Sequence, residues 1–108
     1  NYSTITGAVV EKESFDLAAR IINQQKVHKA FAVSGAICLA TATVLDGTIP
    51  NQLFRPNASP AEIRIGHPSG VIDAKLEYSK NSEEYHIQGA EVKRTARVLM
   101  KGIAYARV

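Results

Sequence analysis

With 108 residues, 45% of them hydrophobic and 21% charged, the chain is long enough for one globular domain and too short for two comfortable ones. That balance excludes a disordered tail as the main content. The net charge of +3 comes from 13 Lys and Arg against 10 Asp and Glu, and the basic residues are spread along the chain. Only 6% of residues are aromatic and none is Trp, so the concentrated basic stripe with stacking aromatics that nucleic acid wants is missing.

The opening stretch, "NYSTITGAVVEKES", lacks an initiating Met, a basic n-region and an apolar h-region. It shows no secretory signal and reads as a chain entered partway through. One cysteine, Cys38, excludes an internal disulfide, and no Cys/His spacing supports a zinc site. A reducing, cytoplasmic setting fits this usage, with no metal expected.

Next comes "SFDLAARIINQQKVHKA", Ser14 to Ala30. Ser14 suits an N-cap and Asp16 the first turn, while Leu17, Ala18, Ile21 and Ile22 share one side of a 3.6-residue period. The spacing predicts an amphipathic surface helix. The stretch "AVSGAICLATATVL", Ala32 to Leu45, predicts a second helix of another character, starting near Ser34 and stopping near Asp46. Gly47 suits its C′ position and Pro50 follows soon after. Beyond Ser34 its only polar side chains are Thr41 and Thr43, which can return their hydroxyls to backbone carbonyls of the preceding turn. A helix apolar all round must be covered on all sides. The uncharged stretch Ala30 to Leu45 has 16 residues, against the roughly 20 apolar residues of a membrane-spanning helix, so no membrane segment is expected.

From Thr48 to Ala61 the breakers Pro50, Asn51, Pro56, Asn57, Ser59 and Pro60 predict a loop. The period then changes to two. "EIRIGH" alternates Ile63 and Ile65 with Arg64, and "VIDAKLEY" places Ile72, Ala74, Leu76 and Tyr78 on one face. Between them "HPSG" offers Pro68 for position i+1 of a tight turn and Gly70 for its end. Another turn is expected at "SKNSEE", then "YHIQGAEVKRTARVLM", a turn at Lys101-Gly102 and a last strand "IAYARV". The order, helix, helix, antiparallel meander, is that of an α+β fold whose curled antiparallel or mixed sheet wraps the apolar helix. About four strands cannot easily surround a helix of about 13 residues, roughly 20 Å long. More of the same parent chain or a second copy is implied.

Chemistry is sparse. A helix beginning at Ser34-Gly35 exposes its first N–H groups, and Gly35 lets a carboxylate or phosphate approach the backbone. The plain alternative is a capped helix in which Ser34 satisfies those donors. Cys38 has no basic neighbour in sequence to lower its pKa and reads as a small buried hydrophobe. His28 and Lys29 precede the apolar helix and could project toward its start, or be a solvated end. His67 and Ser69 lie at the tight turn, where they could serve an anion or simply belong to a structural hairpin. Arg94 and Arg97 point to opposite faces of a regular strand, so at most one faces a ligand. His86 has no evident partner.

Four stretches in order, "HKAFAVSGAICLA" (His28 to Ala40), "DGTIPN" (Asp46 to Asn51), "RIGHPSGVI" (Arg64 to Ile72) and "RTARVLMKGIAY" (Arg94 to Tyr105), resemble the C-terminal part of the PrpF-like aconitate isomerases, relatives of diaminopimelate epimerase. The resemblance covers the chain from about Asp16 onward. It implies that residues 1–108 form a single domain, all or most of the C-terminal domain of a two-domain isomerase, with Ala32 to Leu45 as its central helix. It implies proton transfer next to a carboxylate, shifting the double bond of small tricarboxylates such as methylaconitate, without a cofactor. The partners implied are that substrate and the missing N-terminal domain, and a homo-oligomer is compatible with it. The catalytic cysteine that precedes this helix start in the epimerase relatives has Ala32 at the matching position. The Lys and Cys expected to move the proton in the isomerases lie in a first domain that has no match here. Ser34, Gly35, His28, His67 and Ser69 are thus candidates for binding substrate, and no catalytic residue is assigned. A non-catalytic module that binds a small anion, or pairs with another protein through an open sheet edge, is the competing reading.

Overall fold

The computed structural model describes residues 1–54 and 61–107. The chain opens with a small hairpin of β1 (Tyr2–Ser3) and β2 (Val9–Val10) and a single 3-10 turn at Lys12–Ser14. There follow β3 (Leu17–Ala18), a second hairpin of β4 (Ile22–Asn23) and β5 (Lys26–Val27), then α1 (Val33–Val44) and α2 (Ile49–Leu53). Three longer strands complete it: β6 (Glu62–His67), β7 (Gly70–Lys80) and β8 (Tyr85–Val92). The main sheet has the order β3-β6-β7-β8, with β3 parallel to β6 and the other neighbours antiparallel. This is an α+β fold with a mixed sheet.

The amphipathic helix expected over Ser14 to Ala30 is replaced by short strands. Asp16 is drawn into the sheet: its carboxylate accepts the Arg64 backbone N–H at 2.8 Å and the Arg64 guanidinium at 2.8 and 3.2 Å. Its own N–H donates to the Arg64 carbonyl at 2.8 Å, which sets β3 alongside β6. Gln24 and Gln25, at φ 49° and 62°, make a two-residue hairpin turn between β4 and β5, incompatible with a continuing right-handed helix. The β-branched Ile21, Ile22 and Val27 suit extended backbone better than helix.

The second helix forms where expected, one residue early at Val33, and Gly47 takes the left-handed φ of +85° after its end. Its polar side chains close on themselves, Thr41 donating to the Ile37 carbonyl at 2.8 Å and Thr43 to that of Ala40 at 2.7 Å. Ala36, Ala40 and Thr43, spaced four and three apart, are buried. Their small size lets α1 settle closely on Ile63, Ile65, Ala74 and Leu76 of the sheet. Burial of each large aliphatic side chain there contributes about 1.5–3 kcal/mol.

That burial is one-sided. Ser34 and Cys38 are exposed, so the expectations of a helix covered all round and of a buried cysteine do not hold for the described residues. The packing partner of α1 among the described residues is the four-stranded mixed sheet. It supplies one layer, and a single layer covers one side of a cylinder.

The loop expected from Thr48 to Ala61 begins instead with α2, because Thr48 accepts the Asn51 N–H at 3.2 Å and Pro50 fits a first turn. Pro56, Asn57, Ser59 and Pro60 lie outside the described residues. The two strands flanking "HPSG" pair as expected, with His67 opposite Gly70. The second turn closes through Asn81 and Glu84, whose N–H groups donate to each other's carbonyls at 2.8 and 3.2 Å. At the same end Asp46, just past α1, accepts from Lys80 at 2.7 Å and Tyr85 at 2.8 Å. These contacts hold the Asp46 carboxyl below its usual range and push the Lys80 ammonium above its own.

Beyond Val92 the chain departs from expectation. Residues 93–107 carry no regular structure, so neither the turn at Lys101-Gly102 nor the strand "IAYARV" forms among the described residues. A strand needs a partner edge, and here Val98, Leu99, Met100, Ile103 and Tyr105 stand 80–97% exposed.

Asp16 is almost wholly buried while the Arg64 side chain keeps 36% of its surface in water. Replacing Asp16 with Ala should cost about 2 kcal/mol in urea denaturation, below the 3–5 of a fully buried pair because Arg64 can still be hydrated. An unchanged midpoint would show that the pair does not hold β3 in place.

Candidate functional site

The start of α1 is open. Its N-cap, Ala32, has no side-chain bond to offer, and the first intrahelical bond runs from the Ala36 N–H to the Ala32 carbonyl at 2.8 Å. The N–H groups of Val33, Ser34 and Gly35 precede that bond and point along the helix axis toward its amino end. The carboxyl end is closed. There Thr48 Oγ1 lies 2.5 Å from the Ala42 carbonyl and 3.0 Å from that of Leu45, and Asn51 Nδ2 donates to the Thr43 carbonyl at 2.8 Å. The uncompensated end is therefore the electropositive one.

In front of this end lies a cavity of about 540 Å³, within the usual size range of small-molecule sites. Residues from three regions line it: His28 and Ala30 to Val33 before and at the start of α1, His67, Val71 and Ile72 on β6 and β7, and Lys93, Arg94 and Thr95 after β8. Among the described residues that line it, none is acidic.

The tight turn fixes one wall. His67 is buried, its ring 6.5 Å from that of Phe31. Its Nδ1 accepts the Ser69 N–H at 3.2 Å, which leaves the proton of the neutral ring on Nε2. Ser69 Oγ donates to the Lys29 carbonyl and so ties the turn to the segment leading into α1. Behind the turn, the Tyr2 hydroxyl lies 2.5 Å from the Gly70 carbonyl and 2.9 Å from that of His67, and the Ile5 N–H donates to the Pro68 carbonyl at 2.8 Å. Gly66 permits this closeness, since a Cβ there would stand 3.0 Å from the Tyr2 ring and 3.2 Å from Phe15.

Positive charge gathers nearby. Arg20 donates to the Gly66 carbonyl at 3.1 Å and lies over the Tyr2 ring. Burial, and then the charges of Arg20 and His28, hold the His67 imidazole below its usual 6.5.

The sequence-derived candidates divide. His28 and His67 come together on the cavity, with the His28 Nδ1 accepting the Ala30 N–H at 3.0 Å. Ser69 stands behind His67 with both its hydroxyl and its N–H engaged. Ser34 is exposed, and the cavity meets α1 at Ala32 and Val33. A Cβ on Gly35 would fall 2.7 Å from Ile21 Cδ1, so the missing side chain there makes room for Ile21. Lys93 and Thr95 were not singled out by sequence reasoning, which allowed at most one of Arg94 and Arg97 to face a ligand. No local signal marks them, because a register shift between Glu77 and Tyr78 upsets any count outward from the "SKNSEE" turn. The Lys93 N–H donates to the Asp73 carbonyl at 3.4 Å, so the chain leaves the sheet beside the strand that begins at the tight turn.

The chain is thus an α+β fold with a basic cavity at an open helix start, and comparison with known proteins gives the family. The chain belongs to the PrpF family, whose model, described as PrpF protein, matches residues 1–107. It is 34% identical over 100 residues to a 3-methylitaconate isomerase of Eubacterium barkeri, covering 93% of this chain and 25% of that protein. It is 31% identical over 102 residues to a 2-methyl-aconitate isomerase of Shewanella oneidensis, covering 94% and 25%. A solved structure described as the crystal structure of methylitaconate-delta-isomerase superposes with a TM-score of 0.68 at 30% identity, over 86% of this chain and 25% of that one. The chain thus spans about a quarter of the length of these relatives. Among the described residues no helix is long and apolar enough to cross a membrane.

The depressed His67 pKa has a measurable sign. As pH falls, the unfolded chain takes up this proton near 6.5 while the folded chain resists it, so the unfolded state binds more protons. His67 therefore supports the fold fully above that value, and its support is lost as pH falls through 6.5 toward the folded pKa. An NMR titration should place the His67 midpoint below 6.5, and His67→Gln should flatten the fall in urea stability between about pH 7 and 5. A midpoint at or above 6.5 would refute the buried neutral ring.

Proposed function

We propose that this chain is all or most of the C-terminal domain of a two-domain, cofactor-independent isomerase. It would act on small unsaturated tricarboxylates of the methylaconitate and aconitate type, moving a proton and with it a double bond. The names of the relatives, 3-methylitaconate isomerase and 2-methyl-aconitate isomerase, support that substrate class. The observation that carries the reading for this chain is the cavity, where the uncapped start of α1, two histidines and two further basic side chains meet without an acidic residue in its lining.

Removing a proton from a carbon next to a carboxylate builds enolate-like charge on its oxygens. Fixed backbone donors at a helix start stabilise that charge without reorganising as it develops. In this proposal the N–H groups of Ser34 and Gly35 hold a substrate carboxylate, His28 and His67 flank it, and Ser69 keeps His67 in place. The base and acid come from the first domain. That domain and the substrate are the partners proposed, and contact with the first domain would cover the exposed flank of α1 and the apolar side chains from Val98 to Tyr105.

Titration with citrate, a stable tricarboxylate, should selectively move the amide signals of Ser34, Gly35 and Ala36. Signals that stay fixed would refute anion binding at this helix start. Joined to the missing domain, the chain should isomerise trans-aconitate-type substrates, and by itself it should not; full activity of the 108 residues alone would contradict the division of labour.

A further inference from the structure

We infer that Arg94 receives a second carboxylate of the substrate, on the β8 side of the cavity, and thereby selects di- and tricarboxylates over monocarboxylates. The inference rests on the reading of the α1 start as the site of the first carboxylate.

The basic side chains near this cavity differ in what already occupies them. Arg20 is spent on the Ala19 and Gly66 carbonyls at 2.8 and 3.1 Å and on the Tyr2 ring. Lys93 faces Asp73, Nζ to Oδ2 at 3.6 Å, so its ammonium already has a carboxylate within reach. Burial and then the charges of Arg20 and His28 disfavour the protonated form of His67, and its Nδ1 is occupied. Arg94 lines the cavity, is exposed, and makes no ion pair or side-chain hydrogen bond with any described residue. Among the described residues lining the cavity it is the one guanidinium, and its fork of donors is unused.

A guanidinium pairs with a carboxylate through two parallel N–H···O bonds, which fixes orientation as well as adding affinity. The helix start and Arg94 belong to different elements, and the cavity between them, about 540 Å³, has room for a six-carbon acid held at both ends. Ala30, Phe31, Val71 and Ile72 supply apolar surface to the same cavity. A monocarboxylate can satisfy only one of them. Two-point attachment also fixes which carbon faces the open side, from which the proton-moving groups must reach it.

The test uses the chain as it stands. Amide shifts and affinities are measured by NMR for citrate and for crotonate at constant ionic strength, with the unsubstituted chain, Arg94→Gln, Arg94→Lys and Arg97→Gln. Arg97 is exposed and does not line the cavity, so its variant reports on nonspecific charge. Arg94→Gln should weaken citrate about tenfold while leaving crotonate within about twofold. Arg94→Lys should fall between, and Arg97→Gln should match the unsubstituted chain. Citrate affinity unchanged by Arg94→Gln, or lowered equally by Arg97→Gln, overturns the role of Arg94 while shifts at Ser34, Gly35 and Ala36 keep the first-carboxylate site standing. If neither acid moves those amides in the unsubstituted chain, both readings fall together.

Discussion

The carboxylate of Asp16, gripped by the backbone N–H and guanidinium of Arg64, is the constraint from which the arrangement of the site follows. It fixes β3 parallel to β6, and the Ala19 N–H then donates to the Gly66 carbonyl at 2.9 Å. With the strand in that register, Arg20 reaches the same carbonyl and the Tyr2 ring, bringing positive charge up to the turn that carries His67. Ile21 comes to lie against Gly35 in the first turn of α1. A chain that ran as a helix from Ser14 would deliver none of these contacts.

The same region shows where reading the sequence succeeds and fails. β6, the "HPSG" turn and β7 were legible because alternation along the strands and Pro and Gly in the turn agree on one local answer. The helix from Val33 was legible because an uncharged run of that length, ended by Gly47, leaves little alternative. Leu17, Ala18, Ile21 and Ile22 were misread because the same positions fit one helical face or two short strands. Nothing local settles it. The hairpin turn uses Gln24 and Gln25, residues with no special preference for positive φ, and Asp16 finds its partner 48 residues away.

The candidate site was legible in part for a related reason. His28 and His67 each sit beside a feature that sequence marks, a helix start and a tight turn, and both line the cavity. Arg94 lies beyond the paired end of β8, and a bulge between Glu77 and Tyr78 shifts the register by one. A one-residue shift exchanges the two faces of everything downstream, so alternation alone cannot say which arginine looks inward. Among the described residues α1 meets a sheet on one side only, in a chain that spans about a quarter of a relative's length. A helix this uniformly apolar is composed for more cover than these strands supply.

The wiring of α1 is asymmetric, and that has an electrical meaning. Hydrogen-bond donors from Thr48 and Asn51 quench the negative pole within a single turn of backbone. What the rod still offers to its surroundings is then lopsided, with satisfied carbonyls at one terminus and open N–H groups at the other. Any partner that docks against this rod is met by acceptors already spent at one end and by donors still waiting at the other.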